Sequence, residues 1–403
     1  MKILQIHNSY KYVGGEDVVV ELEKNLLLNK NHSVKQLIRS NKNEIKSFSD
    51  KFTVAQNLSY SNFSRELLNK EIKKIKPDIV HIHNFFPLWT TSVLDACIDN
   101  NIPTVMTMHN YRTICANGLL FRENKICEKC LNKSAYYSVL HGCYQSSRLK
   151  SIPVAKMINY NRKRNILNNK INRFIALTDF AKKKFIQANF NKNKIYVKPN
   201  FIPTKISTTP TNEVRQNHCL YVGRLSEEKG ITMLLKAWEN INYPLKILGD
   251  GPLYSKLNKN QPNITFFGHQ NKKKIFKEMR LAKFLVFPTV CYEGFPLTIL
   301  ESFASGLPVL ASNIGSISGI IIDKYNGILF KPGNIRDIRK KINWILSNNN
   351  KCRQISKNAL IEFKKKYSSE TNYNLLLEVY KEAIKDNLSK NHNKFKTHKK
   401  NTG

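Results

Sequence analysis

The sequence predicts an α/β protein built from two doubly wound domains that face each other across a cleft. Three observations carry this. Short apolar, β-rich runs alternate with runs of helical period along most of the chain. The alternation comes as two series, one on each side of a polar stretch. The chain has 403 residues, enough for two sizeable cores.

In the first series KILQIHN reads as a strand and EDVVVELEKNLLLNK as a helix. HSVKQLI is a strand, SRELLNKEIKKIK a helix, DIVHIHN a strand, TTSVLDACIDN a helix and PTVMTMHN a fourth strand. Strands joined through helices run parallel, with helices on both faces of the sheet. An irregular, cysteine-bearing segment spans 111–145, and RFIALT and KIYVKPN then resume the alternation. The first domain is therefore 1–201, with an insertion at 111–145. Residues 202–217, IPTKISTTPTNEVRQN, are polar with two prolines and read as a linker. The second domain, 218–366, runs through HCLYVGRL, ITMLLKAWEN, PLKILGDG, ITFFGH, KKIFKEMRLAK, FLVFPT, FPLTILESFASG, PVLAS, GILFKPG and IRDIRKKINWILS. A helix over 367–386 is expected to cross back to the first domain. The basic, polar end 387–403 reads as a disordered tail.

Hydrophobic residues make up 41%, which excludes a disordered chain. Lys and Arg number 66 against 29 Asp and Glu, a net charge of +37. That charge favours an anionic partner: nucleic acid, a phosphorylated ligand or an anionic lipid surface. Lys163, Arg164 and Lys170 lie in one helical region, and Lys182, Lys183 and Lys184 start another. No nucleic-acid module interleaves these charges with aromatics, so nucleic acid is not an expected partner. The opening MKILQIHNSY is too short in its apolar stretch for a signal peptide. No run of about 18 apolar residues predicts a membrane span. Eight cysteines without an export signal argue for a reducing compartment. The expected location is cytoplasmic, peripheral on the inner face of the plasma membrane if the charge serves docking.

Ligands of open α/β sheets bind outside the carboxyl ends of the strands, so the loops after the strands hold the candidates. In YEGFPLTILE, Glu293 lies in a loop and Glu301 inside the following helix. Pro296 stands near the first helical turn, and Gly306 with Pro308 ends the helix. The N–H groups of Phe295, Leu297 and Thr298 form a helix N-terminus suited to an anion. Eight residues of helix span about 12 Å, too far for one acid–base pair, so the two carboxylates read as separate hydroxyl-binding groups on an extended polyhydroxyl ligand. In GRLSEEKG, Arg224 and Lys229 bracket a turn, and two cations there suit an anionic ligand. In VGGEDVVV, Gly14 and Gly15 let backbone approach a phosphate, and Glu16 or Asp17 starts a helix. His109 ends the fourth strand; in DIVHIHN, His83 lies nearer the strand end and His81 reads as structural. Gly251 lies in the GDGP turn. Taken singly, each has a plainer reading: a solvated glutamate, a surface charge pair, a tight turn, a hydrogen-bonded histidine. Cys127 and Cys130 have the C-x2-C spacing of a metal knuckle, flanked by Cys115 and Cys143. Four thiolates would form a structural zinc site, closed to substrate, while the alternative is four unrelated thiols.

These motifs taken together resemble the retaining glycosyltransferases of GT-B fold known as group 1, or family 4. GGE, GRLSEEKG, LGDGP, ITFFGH, the EGFPLTILE signature with ESFASGLPVLAS, and GILFKPG fall in the family's order. The resemblance covers most of the chain and is strongest from Cys219 to Gly333. It implies two Rossmann-like domains, a nucleotide-diphosphate sugar donor (UDP- or GDP-linked) on the second, and an acceptor on the first. By the same resemblance Glu301 holds ribose hydroxyls and Glu293 a hydroxyl of the sugar. The backbone of Phe295, Pro296 and Leu297 lines sugar and diphosphate. Gly251 lies near the nucleotide, Gly14 and Gly15 face the diphosphate, and His109 contacts the sugar. No cofactor is required for catalysis. A glycan or lipid-linked acceptor in cell-surface synthesis, such as capsule or lipopolysaccharide, is implied. Two positions depart from the pattern: Cys291, where an aromatic residue is common, and Gly319, where an acidic one is. The rivals are a phosphorylase or epimerase of the same fold, and a membrane- or nucleic-acid-binding scaffold without transferase activity.

Overall fold

The computed structural model describes residues 1–11, 14–203 and 215–400, with 390–400 described by their backbone. The chain divides into two compact units. The first takes Met1–Gly118, Glu128–Lys198 and Tyr373–Gly403; the second takes Leu119–Cys127 and Pro199–Asn372.

The first unit is a six-stranded parallel sheet of β1 (Lys2–Ser9), β2 (Ser33–Ser40), β3 (Ile79–Ile82), β4 (Thr104–Met108), β7 (Arg173–Ala176) and β8 (Ile195–Val197). Its strand order is β2-β1-β3-β4-β7-β8. Between β4 and β7 a two-stranded hairpin of β5 (Phe121–Arg122) and β6 (Lys125–Ile126) interrupts the series and groups with the second unit. Successive strand residues point to opposite faces. Ile3, Ile79, Val105 and Ile175 therefore share one face, where they pack against Leu27 of helix Gly15–Asn29.

The same face is closed by the last helix, Ser369–Lys400, through Leu376, Val379, Tyr380 and Ala383. Arg173 bonds Asp386 at 3.2 Å and His32 bonds the Tyr373 hydroxyl at 2.9 Å. This helix corrects the expected tail. Residues 387–400 continue it without a break, as a segment with neither proline nor glycine can. Residues 401–403 lie outside the described residues, as does 204–214 of the expected linker.

The second unit repeats the plan with β9 (Cys219–Val222), β10 (Leu245–Leu248), β11 (Ile264–Phe266), β12 (Phe284–Phe287), β13 (Val309–Ser312) and β14 (Ile328–Phe330). The order is β11-β10-β9-β12-β13-β14, all parallel. Leu220, Val222, Leu285 and Phe287 pack on one face against helices Lys272–Leu281, Leu297–Ala304 and Asn349–Lys366. Cys219, Tyr221, Phe284 and Val286 pack on the other against helices Ile231–Trp238 and Ile335–Ser347. Arg215, assigned to the linker by sequence, is instead a brace. Its guanidinium donates to the carbonyls of Met279, Arg280, Ala282, Ser305 and Gly306, capping two helix ends. Burial lowers its pKa to about 10. Among the described residues no helix is long and apolar enough to cross a membrane.

Candidate active site

In the second sheet the strand order reverses between β9 and β12, which leaves a crevice at their carboxyl ends. Cys219 pairs with Phe284 and Leu220 with Leu285, so the loops leaving these strands run side by side. After β9, Glu227–Lys229 form one 3-10 turn ended by Gly230 at φ +71°. The Glu228 carbonyl accepts from the Val290 N–H at 3.0 Å and from the Thr289 hydroxyl at 2.9 Å. A Cβ on Gly230 would stand 2.0 Å from the Pro288 carbonyl oxygen. Glycine is thus what lets the two loops touch.

This contact brings Lys229 and Glu293 together. The Lys229 ammonium donates to both carboxylate oxygens, at 2.7 and 2.9 Å, and the Thr289 hydroxyl adds a bond of 3.0 Å. Burial opposes the charge on Lys229 most strongly, but the Glu293 carboxylate together with Cys291 and Glu228 outweighs it and raises the lysine pKa. Lys229 is therefore a cation held in place over the crevice. Cys291 is buried beside this pair, 3.4 Å from the Thr289 hydroxyl. Arg224 is not drawn in: its side chain is exposed and has no ion pair among the described residues.

Helix Leu297–Ala304 begins after Pro296, and its first carbonyl bond runs from the Ile299 N–H to Pro296. The N–H groups of Leu297 and Thr298 precede that bond at the positively polarised end. Glu301 is only 4% exposed, and its carboxylate pairs with the half-exposed Lys272 ammonium. Phe295 packs against Tyr367, ring centroids 5.8 Å apart. Gly251 serves packing: a Cβ there would meet the Leu225 carbonyl oxygen at 2.5 Å, so it docks the GDGP turn onto the loop after β9. Gly319 lies in the short helix Ile317–Ile320.

In the first sheet the reversal falls between β1 and β3. Ile6 is in register with Ile82, and Ile82 with Met106. His7 lies near the end of β1, and His83 and His109 immediately follow β3 and β4, each histidine succeeded by an asparagine. Each asparagine side chain accepts a backbone N–H from the loop: Asn8 from Leu88 at 3.0 Å, Asn84 from Phe86 at 2.9 Å, Asn110 from Arg112 at 2.9 Å. The threefold His-Asn recurrence is a signal that single-motif reading passed over. His83, Asn84, His109, Asn110 and Arg112 help line a cavity of about 20 Å³, room for about one hydroxyl or water. His81 is buried and bonded to the hydroxyls of Tyr380 and Thr107, both at 2.8 Å, which is a structural role.

Gly14 caps helix Gly15–Asn29, its N–H bonded to Asp17 at 2.7 Å, while Gly15 is exposed. Glu16, in the first turn of that helix, accepts from Asn84 at 3.0 Å and Asn110 at 3.1 Å. Burial raises its pKa to about 7, against the pull of His7. A raised carboxyl pKa means the folded chain keeps a proton that the unfolded chain loses near 4.5. The Glu16 contribution is therefore full below that value and declines as pH rises through about 7. Melting curves from pH 5 to pH 8 are expected to show Glu16→Gln gaining on the wild type as pH rises. A gap that does not change with pH refutes the assignment.

The expected four-cysteine zinc site is not assembled. Among the described residues the one set of three ligand side chains close enough to share an ion is Glu23, His81 and His83. Cys115 instead directs its thiol to Asn117 at 3.0 Å, and Cys130 is buried in the short helix Lys129–Asn132. The histidine–glutamate set does not need a metal either, since the Lys198 ammonium already stands 3.1 Å from the Glu23 carboxylate. Of the basic residues singled out above, Lys170 pairs with Asp95, and Lys184 pairs with Glu128 at 2.7 Å.

The family described as Glycosyltransferase Family 4 matches residues 14–206, and Glycosyl transferases group 1 matches 205–362. The structure of Anabaena HepE in complex with UDP and glucose is similar at a TM-score of 0.67, with 17% identity over 94% of this chain and 98% of that one. The chain is a GT-B glycosyltransferase. An uncharacterized glycosyltransferase of Methanocaldococcus jannaschii is 26% identical to it over 95% of this chain and 98% of its own. The O-antigen chain mannosyltransferase C of Escherichia coli is 25% identical over 41% of this chain and 47% of its own. Sucrose-phosphate synthase of Thermosynechococcus elongatus has the same fold at a TM-score of 0.69 and 17% identity, over 94% of this glycosyltransferase and 98% of that chain. The motifs after β9 and β12 thus lie in the group 1 part, and the His-Asn strand ends in the family 4 part.

Proposed function

We propose that this glycosyltransferase moves a hexose, with retention of configuration, from a nucleotide-diphosphate sugar to a glycan or lipid-linked acceptor in cell-surface polysaccharide synthesis. The observation that carries the reading is the Lys229–Glu293 pair at the β9/β12 reversal, with Glu301 buried close behind in sequence. Each half of this arrangement suits a different part of a donor. The diphosphate gains negative charge as the glycosidic bond breaks, and the fixed Lys229 ammonium and the helix end at Leu297 stabilise that charge. Arg224, exposed beside the crevice loops, adds a second cation once the anion arrives. Glu293 keeps its hold on Lys229 and also accepts a hydrogen bond from a sugar hydroxyl, and Glu301 exchanges Lys272 for the paired ribose hydroxyls. The backbone of Phe295, Pro296 and Leu297 lines the same ligand. HepE with UDP and glucose, and the E. coli O-antigen mannosyltransferase, support the donor class and the biosynthetic setting. Unit 1 takes the acceptor, and a substrate hydroxyl meets His109. The basic surface of unit 1 docks on anionic lipid.

The test is a thermal-shift and hydrolysis panel of nucleotide sugars. One donor should stabilise the wild type, and Glu301→Ala should bind it roughly ten- to a hundredfold more weakly, the value of charge-assisted bonds to two hydroxyls. Glu301→Ala should melt near the wild type without ligand, because its present partner Lys272 is half exposed. Folded protein that responds to no nucleotide sugar would overturn the reading.

A further inference from the structure

A buried polar chain lies behind His109. The Glu23 and Lys198 side chains are each 1% exposed and sit 3.1 Å apart. Burying an ion pair costs several kcal/mol per ion before attraction returns it, and an apolar pair would pack as well. Glu23 Oε1 lies 3.0 Å from His81 Nδ1 and 3.2 Å from His83 Nε2. The branch through His81 ends at Tyr380 and Thr107. The branch through His83 continues: its Nδ1 is 3.1 Å from His109 Nε2, the rings stacked at 23°.

We propose that Glu23, kept ionised by Lys198, sets the proton positions on His83 and His109, so that His109 presents an unprotonated Nδ1 to a substrate hydroxyl. The proposal rests on the transferase reading above and adds which hydrogen-bond role the site demands. A carboxylate 3.2 Å from His83 Nε2 attracts an N–H and repels a lone pair, although the contact is too bent for a linear hydrogen bond. Neutral His83 then carries its lone pair on Nδ1. That lone pair accepts the Nε2 proton of His109. Neutral His109 is left with its lone pair on Nδ1, which has no hydrogen-bond partner among the described residues. Both rings are neutral: burial lowers the His83 pKa to about 3 and holds His109 well below its ordinary value. Burial alone would raise the Glu23 pKa, but the Lys198 ammonium beside it holds it well below the usual range. Glu23, Lys198 and His83 are thus positioning residues. A ligand whose hydroxyl at this point is replaced by fluorine, an acceptor without a proton, is rejected.

Nitrogen-15 NMR of the full chain with labelled histidine reads the tautomers with no substrate present. At pH 7 His109 is expected neutral with its proton on Nε2; a proton on Nδ1, or a charged ring, overturns the proposal. The double variant Glu23→Gln with Lys198→Met removes both charges at similar volume. It is expected to lose the tautomer bias and roughly tenfold in kcat/KM, the worth of one net hydrogen bond, while nucleotide affinity through Glu301 is unchanged. Wild-type tautomers and wild-type kcat/KM in that variant would make Glu23 and Lys198 packing elements only. If the double variant does not fold, the wild-type tautomers decide alone. Because that reading needs no donor, its failure is distinct from failure of the nucleotide-sugar panel.

Discussion

Lys229→Ala is expected to lower kcat by roughly 10²–10³, the cost of removing one preorganised group that stabilises charge in a transition state. The reason is local and electrostatic. Lys229 is held by both oxygens of Glu293 at 2.7 and 2.9 Å, so its ammonium needs no reorganisation when a diphosphate begins to leave. The substitution also strands Glu293, whose side chain is only 12% exposed. Loss of a buried partner is costly, about 3 kcal/mol, so reduced activity alone would not separate chemistry from folding. The pairing of Lys229→Met with Glu293→Gln does separate them. It removes both charges, so melting should return toward the wild type while kcat stays low. Recovery of kcat along with stability would show that the pair is architecture and that the cation acts elsewhere.

Gly230→Ala is expected to cost at least about 3 kcal/mol and to lower Tm by roughly 6–12 °C in a domain of this size. Two terms add. Gly230 has φ +71°, which a residue with a Cβ adopts at about 1 kcal/mol or more. Its Cβ would also stand 2.0 Å from the Pro288 oxygen and 2.9 Å from the carbonyl carbon, both backbone atoms that cannot rotate away. Gly333→Ala is the control. Its φ is +74°, and a Cβ there meets nothing within 4 Å. It should cost only the conformational term. Equal melting of the two variants would mean that the contact between the loops after β9 and β12 contributes nothing beyond strain. A Gly230→Ala protein that stays folded should still lose turnover, because Lys229 is the preceding residue.

The two alternating series were legible because burial on both faces of a parallel sheet writes itself as short apolar runs. Lys229 and Glu293 were legible as motifs, and the structure adds that they touch each other, 64 positions apart. Arg224 was legible as a cation but not as an exposed one, since a turn's spacing does not say which side chain points inward. The Glu23–Lys198 pair was not legible. Its members lie 175 positions apart in segments that otherwise read as ordinary helix and strand end. Arg215 sat in a stretch polar enough to read as linker, and its five carbonyl partners are backbone, which leaves no trace in composition. The cysteine spacing misled for the converse reason: C-x2-C is a local pattern, and a four-ligand site also needs the outer pair to converge.

The helix Ser369–Lys400 completes the apolar face formed by Ile3, Ile79, Val105 and Ile175. Synthesis runs in the other direction. The six strands of the first unit are finished by Val197, yet their covering helix is translated only after Pro199–Asn372 has been made. At typical elongation rates that delay is roughly 10–35 s, during which a sheet face rich in isoleucine and valine lacks the part of its cover that Leu376, Val379, Tyr380 and Ala383 supply. Completion of the first unit therefore waits on residues translated after the second unit.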